Sequence, residues 1–252
     1  MIALIDADSI VYKYASIYQD TVIWEQNDKG VVASIETDLE TALEEMEGFI
    51  QGIQDNTDTD DVVLVLSPKR TFRYDVADNY KGNRKKPLVA LEMLVELKNA
   101  LFKRGALQFD NVEADDVCVS RMYQEPGKYV LCHIDKDLDQ AVGAHYNYNT
   151  QEKYEVDQEA ADYFFYEQAL QGDSVDGIKG CPKIGKIKAA KLLGKVSPED
   201  YWDTITEAYE KAGMDYDYMI QQARLVWMLR DFNEDTQEFT LWTPEVMENK
   251  DE

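Results

Sequence analysis

Cysteine and histidine are scarce in this sequence of 252 residues. The three cysteines, Cys118, Cys132 and Cys181, are an odd number without zinc-motif spacing, so we expect buried thiols in a reducing compartment. The two histidines, His133 and His145, are too few and too isolated to predict a zinc site. We expect a structural role for each of them.

The chain also lacks a long apolar run. No stretch is long enough to span a membrane, and the N-terminus has no signal-peptide pattern. We find no internal repeat and no low-complexity linker. These absences predict a cytoplasmic protein without a membrane partner. The length and the apolar fraction of 44% predict a hydrophobic core for one large domain or one and a half.

Positive charge is in short supply, because 26 basic residues face 50 acidic ones and the net charge is −24. This balance argues against a protein that coats nucleic acid through a uniformly basic surface. The basic residues are nevertheless clustered. One cluster has six lysines and no acid between residues 177 and 197, and another has seven basic residues between 69 and 86. An acidic body with two basic patches fits a polyanion that is held locally.

Carboxylates recur in four groups along the chain. Two groups directly follow apolar, strand-like runs, and the carboxyl ends of strands in an open α/β sheet are where sites form. Clustered carboxylates repel one another unless a cation joins them, and hard oxygen ligands suit Mg²⁺ or Mn²⁺. For the group at 113–116 alone, an ordinary helix cap explains the sequence about as well. The groups are Asp6 with Asp8; Glu113, Asp115 and Asp116; Asp135 with Asp137; and Asp173 with Asp176.

Hydrophobic periodicity predicts alternating strands and helices. Strands are predicted at 2–5, 62–66, 128–134 and 144–148, and a hairpin around 27–30. Helices are predicted at 9–18, 38–53, 88–102, 117–123, 157–170 and within 197–230. This order predicts an α/β fold with a mostly parallel central sheet flanked by helices. We expect an α/β core at 1–156 and a helical region at 157–252.

Two basic segments are candidate phosphate sites. Segment 73–87 is either a solvated loop, which is the simpler interpretation, or a clamp in which Lys81 and Arg84 lie one helical turn apart and Tyr80 offers a stacking surface. Segment 180–193 contains a glycine- and proline-rich turn followed by lysine-rich helical periodicity. We expect a helix–turn–helix within 174–195 that binds phosphate without reading bases, with an ordinary helical hairpin as the alternative.

The order of these motifs resembles that of the 5′ nucleases: flap endonucleases, the 5′-nuclease domains of bacterial repair polymerases, and stand-alone phage 5′→3′ exonucleases, which look closest. The resemblance runs from residue 5 to about 193, and no later motif has a match. The matching motifs are Ile5-Asp6-Ala7-Asp8, Phe72-Arg73, Tyr80-Lys81-Gly82-Asn83-Arg84, Glu113-Ala114-Asp115-Asp116, Asp135-Lys136-Asp137-Leu138, and Gly172-Asp173-Ser174-Val175-Asp176-Gly177 continuing through 180–193.

The resemblance implies a PIN-like nuclease domain and a Mg²⁺-dependent 5′→3′ exodeoxyribonuclease or flap endonuclease that acts on DNA through two metal ions. Lys81 and Arg84 would act near the scissile phosphate. The turn at 180–185 would grip the duplex and, in this family, can bind K⁺. The residues that would hold the first metal, directly or through water, are Asp6, Glu113, Asp115 and Asp116. Those that would hold or tune the second are Asp135, Asp137, Asp173 and Asp176. The implied DNA contacts include Tyr80, Lys183, Gly185, Lys186 and Lys188.

Three features depart from the family pattern. Ser67 stands where the family usually has an aspartate, which predicts a weaker or more hydrated first metal site. Asp8 is not a standard ligand, so it either substitutes for the missing acid or caps a helix. Only about 28 residues separate Arg84 from Glu113, so any arch that threads single strands must be short. The short segment favours exonuclease action on duplex ends over flap cutting.

Two other functions also fit part of the sequence. A phosphatase of the haloacid dehalogenase type has an Asp-x-Asp motif after a strand, as at Asp6 to Asp8, but it does not explain the group at Glu113. A DNA-binding module with a weakened metal site is suggested by Ser67. Metal-dependent cleavage would separate the nuclease from both alternatives.

Overall fold

A mostly parallel sheet of five strands lies at the centre of the fold, in a computed structural model that describes residues 1–27, 30–84 and 89–245. The strands are β1 (Ile2–Asp6), β2 (Gln19–Asn27), β3 (Gly30–Thr37), β4 (Val62–Val65), β5 (Tyr129–His133), β6 (Gly143–Asn147) and β7 (Glu152–Val156). The sheet order is β4-β1-β5-β6-β7, with only β7 antiparallel to its neighbour. The predicted α/β class and mostly parallel sheet are confirmed.

The helices flank this sheet and continue beyond it. They are α1 (Asp8–Ile17), α2 (Leu39–Thr57), α3 (Arg73–Val76), α4 (Leu91–Lys103), α5 (Ala114–Gln124), α6 (Gln158–Gln171), α7 (Lys186–Leu193), α8 (Tyr201–Lys211) and α9 (Tyr216–Val226), with 3₁₀ helices at Lys136–Gln140 and Pro198–Asp200. Asp38 caps α2 by accepting a hydrogen bond from the Thr41 N–H at 3.1 Å. None of the helices among the described residues is long and apolar enough to cross a membrane.

Strands β2 and β3 form the predicted hairpin as a separate two-stranded sheet. Its turn residues, Asp28 and Lys29, lie outside the described residues, as does Leu88 at the predicted start of α4. Strand β7 was not predicted, because its sequence, Glu152 to Val156, is mostly charged and gives little apolar signal.

Alternating residues of β1 face two different hydrophobic clusters, as the two-residue period of a strand requires. Ala3 and Ile5 pack with α1, α2 and α4 on one face. Leu4 faces the other cluster, which also contains Phe165 and Trp242 from the C-terminal half. The change from strands to helices occurs at Asp157, where we expected it, but the two halves share one apolar cluster. The division into 1–156 and 157–252 stays a prediction.

All three cysteines are buried and free, as predicted. The predicted helix–turn–helix within 174–195 is wrong in its bounds, because only α7 lies in that window. The helix that precedes the turn is α6, which ends at Gln171 and packs against α7. The sequence of α6 shows weak helical amphipathicity, because most of the second half of this helix is buried on all sides.

Candidate active site

The ends of β1 and β5 and the start of α5 bring carboxylates to one cavity of about 350 Å³. Asp6 ends β1, Asp115 lies in the first turn of α5, and Asp135 follows β5. Strand ends therefore deliver Asp6 and Asp135 to one place, and Asp115 joins them from a helix start. The cavity is also lined by Asp8, Glu113, Lys69, Lys81, Arg84 and Lys98.

The ionisation of Asp6 and Asp115 is disfavoured at this cavity. Burial, followed by the charges of Asp8 and Asp135, raises the pKa of Asp6 to about 8. Burial raises the pKa of Asp115 well above its usual value, followed by the charges of Asp6 and Asp135. Lys81 only partly opposes these effects. Oxygen ligands that cannot all ionise alone fit a divalent cation, which would neutralise them.

Glu113 sits among hydrogen-bond donors at the edge of this cluster. Its carboxylate accepts from Lys81 Nζ at 2.7 Å and from the Tyr80 hydroxyl at 3.2 Å, and Arg73 lies 3.7 Å away. Burial alone would raise the pKa of Glu113, but the charges of Arg73 and Lys81 outweigh it and lower the pKa. Glu113 is therefore the ionised carboxylate that holds Lys81 at the cavity.

Asp116 is directed into a buried ion pair. Arg73 donates to both of its carboxylate oxygens, at 2.6 and 2.8 Å, and both side chains are fully buried. Asp116 also accepts from the Glu113 N–H at 3.1 Å, which completes a capping box at the start of α5. The cavity lining does not include Asp116. The prediction that Asp116 ligates a metal is not supported by this geometry; the helix-cap interpretation holds for Glu113 and Asp116, while Asp115 faces the cavity.

Asp8 takes the place beside Ser67 where the resemblance leads one to expect an acid. Its carboxylate accepts from the Ser67 N–H at 2.8 Å and from Lys98 Nζ at 2.8 Å. Ser67 Oγ in turn accepts from the Ala114 N–H at 2.9 Å, at the start of α5. Asp8 thus supplies negative charge to the cavity from α1, and it does not act as an N-cap by its side chain.

The segment that carries Tyr80, Lys81 and Arg84 is tied to Asp176. Tyr80 donates to its carboxylate at 3.1 Å, Arg84 Nε donates at 2.8 Å, and Lys81 Nζ lies 3.8 Å away. The segment is not an α-helix, and Lys81 has a left-handed backbone with φ of 54°. The Arg84 N–H still donates to the Lys81 carbonyl at 3.1 Å, so the two residues lie one turn apart. One prediction about this segment is wrong. Tyr80 is only 4% exposed, so it cannot offer a stacking surface to a base.

A second carboxylate group surrounds Lys136. Its ammonium lies 3.4 Å from Asp137 and 3.3 Å from Asp173. Burial and then Asp135 raise the pKa of Asp137 to about 6, against the opposing charge of Lys136. The charge of Asp135 raises the pKa of Asp6, of Asp115 and of Asp137. The two carboxylate groups therefore interact electrostatically through Asp135. Lys136 is more than half exposed, so its ammonium has room to leave when another cation enters.

The turn between α6 and α7 is built on a close backbone contact. A β-carbon on Gly172 would lie 2.4 Å from the Ile178 carbonyl, and one on Gly180 would lie 2.3 Å from the Gly172 nitrogen. Both glycines have positive φ. Gln222 of α9 fixes the turn by accepting from the Lys179 and Gly180 N–H groups at 3.1 and 3.0 Å.

This turn exposes the predicted DNA contacts Lys183, Gly185, Lys186 and Lys188. Two of its main-chain oxygens, which the resemblance offers to K⁺, already accept hydrogen bonds. Lys188 Nζ donates to the Lys183 carbonyl at 2.9 Å, and the Tyr218 hydroxyl donates to the Gly180 carbonyl at 3.3 Å. A K⁺ ion there would have to displace Lys188, and the K⁺ site stays a prediction.

Sequence reasoning missed Lys98 and the proximity of the two histidines. Lys98 lies on the amphipathic helix α4, where a lysine usually points to solvent. Only the acidic group at Asp8 in the sequence could have suggested a cationic partner. The expectation that His133 and His145 are isolated is wrong. They lie on the paired strands β5 and β6, and His133 Nε2 is 2.9 Å from His145 Nδ1.

Comparison with known proteins gives a consistent result. The model of the family described as 5′-3′ exonuclease, N-terminal resolvase-like domain, matches residues 1–167. The exodeoxyribonuclease of Enterobacteria phage T3 is 28% identical over 231 residues, which cover 73% of this chain and 73% of that protein. A 5′-3′ exonuclease of Buchnera aphidicola is 33% identical over 155 residues, which cover 54% of this chain and 53% of that protein.

Solved structures share the fold. Bacteriophage T5 5′-exonuclease with bound zinc superimposes with a TM-score of 0.61 at 17% identity, over 90% of this chain and 89% of that chain. The catalytic core of Rad2 in complex with a DNA substrate superimposes with a TM-score of 0.52 at 12% identity, over 98% of this chain and 84% of that chain. At these identities the likeness establishes the fold alone.

Proposed function

This chain belongs to the 5′-3′ exonuclease family of nucleases, and we propose that it is a Mg²⁺-dependent 5′→3′ exodeoxyribonuclease that acts on duplex DNA ends. One observation carries the proposal: Asp6, Asp115 and Asp135 meet in a cavity where their mutual repulsion requires a cation, and Lys81 lies in the same cavity. Mn²⁺ has the same preference for oxygen ligands and is expected to substitute.

Two metal positions follow from the two carboxylate groups. Asp6, Asp115 and Asp135 would hold the first ion, with Asp8 and Glu113 adding charge at its edge. Asp135, Asp137 and Asp173 would hold the second, after Lys136 withdraws. Divalent ions in such a site lower the pKa of a bound water and neutralise a leaving oxyanion. Asp116 and Asp176 act through the cationic side chains that they orient.

Lys81 and Arg84 are suited to the scissile phosphate. Glu113 and Asp176 hold both side chains at the cavity, and their pKa values are raised by these carboxylates against the effect of burial. Both side chains therefore remain cationic at neutral pH. Fixed cationic donors stabilise charge that develops on phosphate oxygens in the transition state.

The duplex-end preference rests on α4. Met93, Leu97 and Leu101 of this helix are buried in the cluster that contains α1 and α2. Helix α4, which takes up 13 residues of the short segment between Arg84 and Glu113, is thus anchored in the core, and this leaves little chain for an arch. We expect DNA to approach with its end at the carboxylate cavity and its backbone on Lys183, Lys186 and Lys188.

The remaining assignments are coarser. We propose that 1–156 forms the nuclease core and that 157–252 supplies the duplex-binding turn, with K⁺ as a candidate ligand of that turn. The buried, unpaired thiols fit the cytoplasm, which would be a host's if the protein is encoded by a phage. The phosphatase alternative is not favoured, because residues 1–167 match the 5′-3′ exonuclease family and a dehalogenase-type site leaves Glu113 unexplained.

A cleavage assay with 5′-labelled DNA tests the proposal. Blunt duplex and a 5′-flap substrate would be compared in Mg²⁺, in Mn²⁺ and in EDTA, with Asp135→Asn and the exposed control Glu44→Gln. We expect short labelled products from the duplex end, lost in EDTA and in Asp135→Asn but kept in Glu44→Gln. Release of the intact flap as the main product would contradict the duplex-end preference. Binding without cleavage in any metal would support the DNA-binding module instead.

A further inference from the structure

Two buried histidines face each other on adjacent strands of the sheet. His133 on β5 and His145 on β6 are each 1% exposed, and His133 Nε2 lies 2.9 Å from His145 Nδ1. At this distance one nitrogen would normally donate a hydrogen bond to the other. The partners on the far sides of the two rings prevent it.

In each ring, the nitrogen that points away from the other histidine donates a hydrogen bond to a backbone carbonyl. His133 Nδ1 lies 2.6 Å from the Asp135 carbonyl, and His145 Nε2 lies 2.9 Å from the Ala141 carbonyl. A carbonyl oxygen can only accept, and a neutral imidazole carries one N–H, so both protons are used on these far sides. The two nitrogens that face each other therefore both present lone pairs.

The two lone pairs point at the same small volume between the rings. The Tyr154 hydroxyl borders this volume, 3.2 Å from His133 Nε2. Such an arrangement attracts a cation that binds nitrogen.

A carboxylate completes the group. One oxygen of Asp139 and one nitrogen from each histidine all lie within 4.8 Å of one another. The Tyr154 hydroxyl donates to Asp139 at 2.7 Å, and the Tyr154 ring stacks on His145 with centroids 5.1 Å apart. Tyr154 thus orients both Asp139 and His145.

We propose that His133, His145 and Asp139 bind a transition-metal ion of the zinc type, at a site separate from the carboxylate cavity. Two imidazoles and a carboxylate are typical ligands of Zn²⁺, whereas Mg²⁺ prefers oxygen alone. Zinc-bound histidines usually donate their other N–H to a backbone carbonyl or a carboxylate, and both rings already do so here.

The two ring nitrogens need little rearrangement to accept the ion. Zn–N bonds of about 2.0 Å at a tetrahedral angle place two ring nitrogens about 3.3 Å apart, so the present separation of 2.9 Å has to widen by about 0.4 Å. Asp139 and Tyr154 also line an open groove between β7 and the start of α6, so the carboxylate of the group is reached from this groove.

A bound ion would fix the segment that carries two candidate catalytic carboxylates. Asp139 lies in the 3₁₀ helix Lys136–Gln140, and His133 contacts the carbonyl of Asp135 at its start. Both ends of this short segment would then be anchored to one metal. Asp135 and Asp137 project from the same segment. This consequence rests on the proposed function, but the binding of the ion does not.

Metal content and cobalt spectroscopy test the site directly. The metal-free full-length protein would be dialysed against micromolar Zn²⁺ in millimolar Mg²⁺, so that Mg²⁺ competes for the oxygen-only sites. We expect about one Zn²⁺ per chain and, with Co²⁺ as the probe, the intense visible absorption of a tetrahedral site. Asp115→Asn should retain both signals, because this change affects only the carboxylate cavity.

Asp139→Asn and His145→Gln should each weaken Zn²⁺ binding by at least about tenfold. Asp139 is only partly buried, so this variant is expected to fold even if His145→Gln does not, and circular dichroism would check both. The proposal is overturned if folded wild-type protein takes up no Zn²⁺. It is equally overturned if folded Asp139→Asn binds Zn²⁺ as the wild type does, or if the tetrahedral signal disappears in Asp115→Asn.

Discussion

Removal of the Asp6 charge is expected to stabilise the metal-free protein at alkaline pH. The pKa of Asp6 is raised from 3.8 to about 8, mainly by burial and then by Asp8. A carboxyl group with a higher pKa in the folded state binds its proton more tightly when folded. Its contribution to stability is therefore fully present below pH 3.8 and is lost as the pH rises through about 8.

The magnitude follows from the distance between the two pKa values. One pH unit corresponds to about 1.4 kcal/mol, so the interval sets an upper limit of about 6 kcal/mol on the loss. Part of this loss is repulsion shared with Asp115, whose own raised pKa lets it relieve the repulsion by protonation. For Asp6→Asn we expect an unfolding free energy about 2 to 4 kcal/mol above that of the wild type at pH 8.5, and a difference of about 1 kcal/mol or less at pH 4.5.

Urea unfolding in EDTA, followed by circular dichroism at both pH values, measures this difference. Glu44→Gln removes an exposed carboxylate on α2 and serves as the control, with no pH-dependent gain expected. Saturating Mg²⁺ should reverse the order at pH 8.5, because only the wild type retains the full ligand set. Equal pH profiles for Asp6→Asn and the wild type in EDTA would refute the idea that burial and the neighbouring carboxylates disfavour the Asp6 charge.

Three further substitutions test separate parts of the structure. Lys81→Ala should reduce single-turnover cleavage by about 10² to 10³, because it removes a fixed cation near the phosphate; an unchanged rate would exclude Lys81 from the reaction. Arg73→Met should lower the unfolding free energy by about 3 to 5 kcal/mol by stranding a buried carboxylate. Arg70→Met, which breaks an exposed ion pair, should cost less than about 1 kcal/mol; similar losses in thermal or urea unfolding would contradict this contrast. On duplex DNA, Lys186→Ala should reduce the slope of log Kd against log salt concentration by about one, whereas Lys211→Ala on α8 should leave it unchanged. If Lys186→Ala has the same slope as the wild type, Lys186 does not contact DNA phosphate.

The sheet and the convergence of Asp6 and Asp135 could be predicted because both depend on local pattern. An apolar run of strand length followed by an acid fixes the element and places the acid at the carboxyl edge. The first residues of α2 and α6 were predictable for a similar reason, since Asp38 and Asp157 are N-terminal caps whose signal is local in the sequence. Local signals of this kind are sufficient to predict most of the strands and helices.

Several failures involve partners that are distant in sequence. The resemblance implied that Asp116 holds a metal, but Arg73 determines where its carboxylate points. Tyr80 lies in a basic, polar stretch, yet packing against Tyr74 and the hydrogen bond to Asp176 bury it. Side-chain spacing along the chain gives no information on such contacts.

The two histidines show how register decides a site. His145 pairs with Leu131, and His133 follows Leu131 by two positions, so both rings lie on the same face of neighbouring strands. A shift of one residue in this pairing would have turned one ring to the opposite face. The sequence contains both residues but not the register, so their proximity could not be predicted.

Metal occupancy and cleavage measured on the same samples test the central claim most directly. Mn²⁺ binding, followed by electron paramagnetic resonance, would be titrated alongside the single-turnover rate on 5′-labelled duplex for the wild type and Asp115→Asn. We predict that the wild-type rate rises with occupancy of the carboxylate cavity and that Asp115→Asn loses Mn²⁺ affinity and cleavage together. Cleavage that persists in EDTA, or Asp115→Asn that cleaves at the wild-type rate, would contradict the assignment of this cavity as the catalytic metal centre.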